Sequence, residues 1–159
     1  MPVDFPDSPS VNDEFSVDGV TRIWTGTAWV LKTSGGGSAR TTATITTASL
    51  ASGATEDATV VLAAGYRLLQ ITTDRACRVR LYTTSAKRTA DAARSIGVDP
   101  TGDHGLLFEF VATGAVADYD LTPTIDGFCP AGTSAYYAIE NRSGSTSTVE
   151  VILAWIRTE

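Results

Sequence analysis

The sequence predicts an all-β protein, a β-sandwich of jelly-roll type preceded by a small N-terminal β-meander and a glycine-rich linker. Three observations predict it. Short segments along most of the chain alternate apolar and polar residues, the period of a half-buried strand. Turn-forming residues such as Asp18-Gly19, Ser52-Gly53, Ala64-Gly65, Thr113-Gly114 and Arg142-Ser143-Gly144 separate those segments. The composition is 43% hydrophobic but only 19% charged, with abundant threonine in place of charge. Threonine suits a pleated surface because its branched Cβ packs well there.

The first element is the proline-bracketed stretch Phe5-Pro6-Asp7-Ser8-Pro9, which the two prolines keep extended and unpaired. Three short strands follow: Glu14 to Val17, Val20 to Trp24 and Ala28 to Leu31. Asp18-Gly19 joins the first two as a hairpin turn, since a two-residue turn demands positive φ. Phe15, Val17, Val20, Trp24 and Trp29 can then pack as one aromatic cluster. Ser34-Gly35-Gly36-Gly37-Ser38 cannot hold regular structure and reads as a joint. The chain therefore divides into a meander at 1–33, a linker at 34–39 and a sandwich domain at 40–159. Some thirty residues are too few for an independent core, so the meander needs a partner surface.

In the sandwich domain the expected strands are Thr41 to Leu50, Thr59 to Leu62, Arg67 to Thr73, Cys77 to Thr83, Leu106 to Thr113, Ala135 to Glu140 and Thr148 to Ile156. A short one is expected at Asp118 to Leu121. In Arg78-Val79-Arg80-Leu81-Tyr82 the valine and leucine point one way and the arginines the other. Val149, Val151, Leu153 and Trp155 share one face. About seven or eight short strands at this spacing point to a β-sandwich, with a jelly roll as its topology. The stretch from Ser85 to Gly105 is long for a plain loop. Its first half, Ala86 to Arg94, can form a short helix, and excursions of this length are often functional or interfacial.

Charge and composition exclude several classes. A net charge of −6 opposes sequence-independent nucleic-acid binding, which needs a basic surplus. Arg75, Arg78, Arg80, Lys87, Arg88 and Arg94 do cluster, and read as an exposed strand face and a solvated loop rather than a phosphate site. Cys77 and Cys129 match no metal spacing and read as buried small hydrophobes, with a disulfide as the alternative. No apolar run reaches membrane-spanning length, and Met-Pro-Val-Asp is no signal peptide, so synthesis in the cytoplasm without membrane insertion is expected.

No catalytic set emerges, and no cofactor or metal is expected. Asp99, Asp103 and His104 lie together in sequence, but two carboxylates do not fill a calcium shell and a single histidine forms no zinc pair. Pro100 and Gly102 make the aspartates turn residues. The serines lack a base beyond His104, and no nucleophile elbow or phosphate loop is present. The nearest carboxylate pairing for glycoside cleavage is Glu109 with Asp118 or Asp120, and exposed acids on a strand are routine. A glycan contact would use Tyr136 or Tyr137; being adjacent in a strand, the two face opposite ways and one belongs to the core.

The N-terminal stretch, from Phe5-Pro6-Asp7-Ser8-Pro9-Ser10-Val11-Asn12-Asp13-Glu14-Phe15 through Ile23-Trp24-Thr25-Gly26-Thr27-Ala28-Trp29-Val30, resembles a short module of phage virion proteins. That module runs as an F-P-x-x-P-x-x-G/N-D opening, a hairpin, then W-x-G-x-x-W. It occurs in tail fibres, baseplate proteins and other surface components, often in cyanophages. Asp13 matches the pattern, and Asn12 stands where glycine is commoner. The rest of the chain resembles the β-sandwiches of phage fibres and head decorations.

The resemblance implies a homo-oligomer, most often a trimer, located in the virion and contacting other virion proteins. Its small module would dock to the particle through Phe5, Pro6, Phe15, Trp24 and Trp29. The expected function is non-enzymatic: a tail-fibre or baseplate subunit that presents a sandwich for assembly or host contact. The alternatives are a capsid decoration or cement protein, and, from another class, a carbohydrate-binding module for a host surface glycan.

Overall fold

The computed structural model describes residues 5–17, 19–32 and 39–158, which form two compact units, Met1–Gly37 and Ser38–Glu159. Among the described residues the chain is all-β apart from one short helix. Residues 34–38 of the expected linker lie outside the described residues, as does Asp18 of the expected turn.

The first unit is a three-stranded antiparallel sheet ordered β1-β2-β3, with β1 at Glu14–Val17, β2 at Val20–Trp24 and β3 at Trp29–Leu31. Val17 faces Val20 across a two-residue connection in which Gly19 has φ 75°, as a tight hairpin requires. The register Phe15↔Arg22 and Trp24↔Trp29 places these four on one face, because side chains alternate. Asn12 also has positive φ, 75°. Its N–H donates to the Trp24 carbonyl and the Trp24 N–H donates to the Asp13 carbonyl, each at 2.9 Å. Glycine and asparagine are the residues that enter this left-handed region at least cost.

In the second unit the strands are β4 (Thr41–Thr46), β5 (Thr55–Val61), β6 (Gly65–Thr73), β7 (Cys77–Tyr82), β8 (Leu106–Ala112), β9 (Val116–Phe128), β10 (Ser134–Asn141) and β11 (Glu150–Arg157). The helix α1 spans Ser85–Ala90, between β7 and β8. β4 pairs with β11, β5 with β10, β6 with β9 and β7 with β8, all antiparallel. These nested pairs are the rungs of one long hairpin whose tip is the β7–β8 connection. Rolling the hairpin adds the pairs β11–β6 and β10–β7. The result is two four-stranded sheets, β4-β11-β6-β9 and β5-β10-β7-β8, which is the jelly-roll topology.

The core lies between the sheets. Val79, Leu81, Ile139, Val151 and Leu153 are fully buried on it, each burial stabilising by about 1.5–3 kcal/mol. β6 departs from simple alternation. Leu68 and Ile71 both point inward although they are three positions apart, a spacing that strict alternation puts on opposite faces. The register shifts between Leu68 and Gln70 against both neighbours, so Leu69 is a bulge residue that turns the rest of the strand over. β9 is far longer than the expected Asp118 to Leu121. It continues past an irregularity at 121–124 and ends at Phe128. Pro123 sits in that irregularity on an edge strand, where its missing N–H removes no ladder bond. Cys77 and Cys129 are both buried and free, with burial pushing the Cys77 thiol up to about 11.

Gly127 lies opposite Tyr66 and leaves room for its ring. A Cβ there would fall 2.4 Å from Tyr66 Cζ. Since Tyr66 is buried, the ring has no open side to retreat to. Gly127→Ala is expected to lower stability by about 1–3 kcal/mol, the usual cost of overpacking. Tyr66→Phe is expected to be nearly neutral, because the Tyr66 hydroxyl is buried without a hydrogen-bond partner. Urea midpoints of the two variants test both; equal midpoints for Gly127→Ala and the parent would refute the close approach.

Candidate functional site

The most elaborate side-chain arrangement lies on the outer face of the β5-β10-β7-β8 sheet, beneath the excursion between β7 and β8. Alternation in β7 sends Arg78, Arg80 and Tyr82 to that face, and the register sets Glu109 of β8 opposite Arg80. The excursion folds back over them. Thr84 caps α1 by accepting a hydrogen bond from the Lys87 N–H at 3.2 Å. The turn after the helix then lowers Asp91 and Arg94 onto the sheet.

Glu109 receives two guanidiniums, Arg78 Nε at 2.7 Å on one oxygen and Arg94 Nη2 at 2.6 Å on the other. Asp91 likewise receives two donors, Arg94 Nε at 2.7 Å and the Tyr82 hydroxyl at 2.6 Å. Arg80 stands 3.6 Å from the Asp91 carboxylate and donates to the Asp91 carbonyl at 3.0 Å. Arg78 also donates to the Arg94 carbonyl at 2.7 Å. Further along, Arg88 donates to the Ala58 carbonyl at 2.7 Å and lies 5.8 Å over the Tyr136 ring.

Burial alone would raise the Asp91 carboxyl. The hydrogen bonds from Arg94 and Tyr82 and the charges of Arg94 and Arg80 outweigh it and hold the carboxyl below its ordinary range. Burial and the bond to Asp91 push the Tyr82 phenol up to about 12. The bonds to Asp91 and Glu109 hold Arg94 protonated beyond its ordinary range. The set is a charge-assisted clasp that ties the excursion to the sheet.

The expected exposed strand face is therefore corrected. Arg78 and Arg80 have side chains only 3% exposed. The excursion covers them and supplies Asp91, while the next strand supplies Glu109. Sequence reading missed Tyr82, Asp91 and Glu109 as partners. Asp91 and Arg94 at i, i+3 near a short helix were the one local signal.

The other named residues fall as follows. His104 accepts the Leu106 N–H at 3.0 Å through Nδ1, and Asp103 pairs with Lys87 at 2.6 Å. Among the described residues no three His, Cys, Asp or Glu side chains are grouped to hold a metal. Glu109 is in one sheet and Asp118 and Asp120 are in the other, where Gln70 Nε2 donates to Asp120 at 2.8 Å. Tyr137 is buried in the core with its hydroxyl donating to Glu56 at 2.8 Å. Tyr136 is half-buried under Arg88.

In the first unit Phe5 stacks on Trp29 at 5.5 Å and meets Phe15 at 5.3 Å, while Trp24 meets Trp29 at 5.6 Å. The Arg22 guanidinium lies 5.5 Å from the Phe5 ring. Phe5, Phe15, Trp24 and Trp29 are half-buried in this cluster, and Pro6 is exposed beside it. No protein family, curated protein or solved structure matches the chain.

Proposed function

We propose that this chain is a non-enzymatic structural subunit of a bacteriophage particle, of the tail-fibre or baseplate type. It docks through the N-terminal unit and presents the jelly roll for assembly or host contact. One observation carries the reading. The opening motif of the first unit has a structural logic in this chain: Asn12 takes the left-handed conformation that a Gly/Asn position needs. Asp13 closes the same turn, its carboxylate accepting the Ser10 N–H at 2.8 Å.

Two further features support it. The aromatic rings of the unit gather on one sheet face and are half-buried rather than enclosed, which suits completion by a partner. In the sandwich, Glu109 and Asp91 are each held by two donors, so the clasp acts as scaffold and not as acid or base.

The subunit works as a homotrimer among other virion proteins. Light scattering on the full chain is expected to give about three times the 16.7 kDa chain mass; a strict monomer would count against the reading. Quantified gels of purified particles carrying the chain separate its two virion forms. Copy numbers in the range of a few to a few dozen place it in the tail, and hundreds make it a head decoration.

A further inference from the structure

Beside the clasp, a cleft of about 440 Å³ opens between the 92–96 turn, β7 and the end of β10. Four arginines line it, Arg78, Arg80, Arg94 and Arg142, against a single carboxylate, Glu140. Counting Asp91 and Glu109 behind the guanidiniums, four positive charges meet three negative ones. Two nitrogens of these lining arginines, Arg78 Nη2 and Arg80 Nε, are buried without a hydrogen-bond partner. Buried donors of charged groups are ordinarily paired, and unpaired ones call for an acceptor. Arg142 is the exposed member, and its Nη1 donates to Glu140 at 2.8 Å.

We propose that this cleft binds a small tetrahedral oxyanion, a phosphate or sulfate group. Arg78 and Arg80 are held rigidly by Glu109, the Arg94 carbonyl and the Asp91 carbonyl, so their donors are set in place before the ligand arrives. Guanidinium edges match phosphate and sulfate oxygens in pairs. Glu140 is the internal competitor: it occupies Arg142 until the anion displaces it. The net charge of −6 gives the ligand no long-range attraction, so selectivity lies in the cleft itself. The site belongs to the sandwich alone and does not depend on the virion reading.

The test is an NMR titration of the isotope-labelled full chain with sodium phosphate and sodium sulfate, ionic strength being held constant with chloride. The arginine Nε–Hε signals of Arg78, Arg80 and Arg142 are expected to shift and saturate below about 50 mM, as a millimolar site does. Arg142→Gln is expected to weaken binding about fivefold, and Glu140→Gln to tighten it, because one removes a donor and the other the competitor. Arg67→Gln, on a strand of the other sheet, leaves the titration unchanged. Both test positions are solvent-accessible, so the fold survives the changes.

Glucose 6-phosphate and glucose distinguish the sources. Tighter binding of the ester than of phosphate, with glucose inert, marks a phosphorylated saccharide; equal or weaker binding of the ester marks the free anion. The proposal is overturned if no arginine signal saturates, if chloride alone reproduces the shifts, or if Arg142→Gln and Glu140→Gln move the affinity in the same direction.

Discussion

Asp91→Ala is expected to lower the stability of the sandwich by about 3–5 kcal/mol, the cost of removing one partner from a buried ion pair. The Asp91 side chain is 8% exposed, and it faces Arg80 and Arg94, themselves 3% and 8% exposed. Truncation leaves two guanidiniums and the Tyr82 hydroxyl without their shared acceptor. The urea midpoint should fall with little change in slope. Lys32→Ala provides the contrast. Its pair with Glu14 is 41% and 49% exposed, and its removal is expected to cost no more than about 1 kcal/mol.

The pH dependence has a definite sign. The Asp91 carboxyl is held below its ordinary range in the folded chain. Its contribution is therefore present above the unfolded value of about 3.9 and is lost as pH falls through the lower folded value. The gap between Asp91→Ala and the parent is expected to be full near neutrality and to close in that acid window. A loss under about 1 kcal/mol at neutral pH would mean that the clasp is not a stabilising unit.

How much of this was legible in the sequence depended on distance along the chain. β7 announced itself, since Val79 and Leu81 alternate with Arg78 and Arg80 and nothing interrupts the period. β6 was recognisable as a strand but not in its orientation, because the bulge at Leu69 inverts the faces and has no sequence mark of its own. β9 was read short; it runs on through Pro123, which an edge strand tolerates.

The jelly roll followed from strand number and spacing, and the nested pairing then left few alternatives. The arginines were misjudged for a physical reason. Charge on an alternate strand position looks solvated until something covers it, and the cover here is Asp91, Arg94 and Glu109, up to 31 residues away. Asn12 was the reverse case. Its positive φ became visible only in the structure.

Asn141→Asp is expected to be about as costly as breaking the clasp, at about 3–5 kcal/mol, although the two side chains have nearly the same shape. Asn141 is completely buried where β10 ends. Its Nδ2 donates to the Leu50 and Ser145 carbonyls, both at 2.8 Å, and its Oδ1 accepts the Ser143 N–H at 3.0 Å. One amide thereby ties the Leu50 bridge and the 143–147 turn to β10.

A carboxylate has no donors, so the substitution sets buried negative charge against two carbonyl oxygens. The introduced carboxyl would be driven above its ordinary range, by burial and by those oxygens. A raised folded value means that the penalty shrinks as pH falls through it, since the protonated group can donate to one carbonyl again. Asn141→Asp should therefore gain stability relative to the parent on acidification, the opposite direction to the parent's own loss through Asp91. Parallel urea series at neutral and acid pH measure it. A penalty of constant size would show that packing, and not the amide's two donors, holds this end of the sandwich.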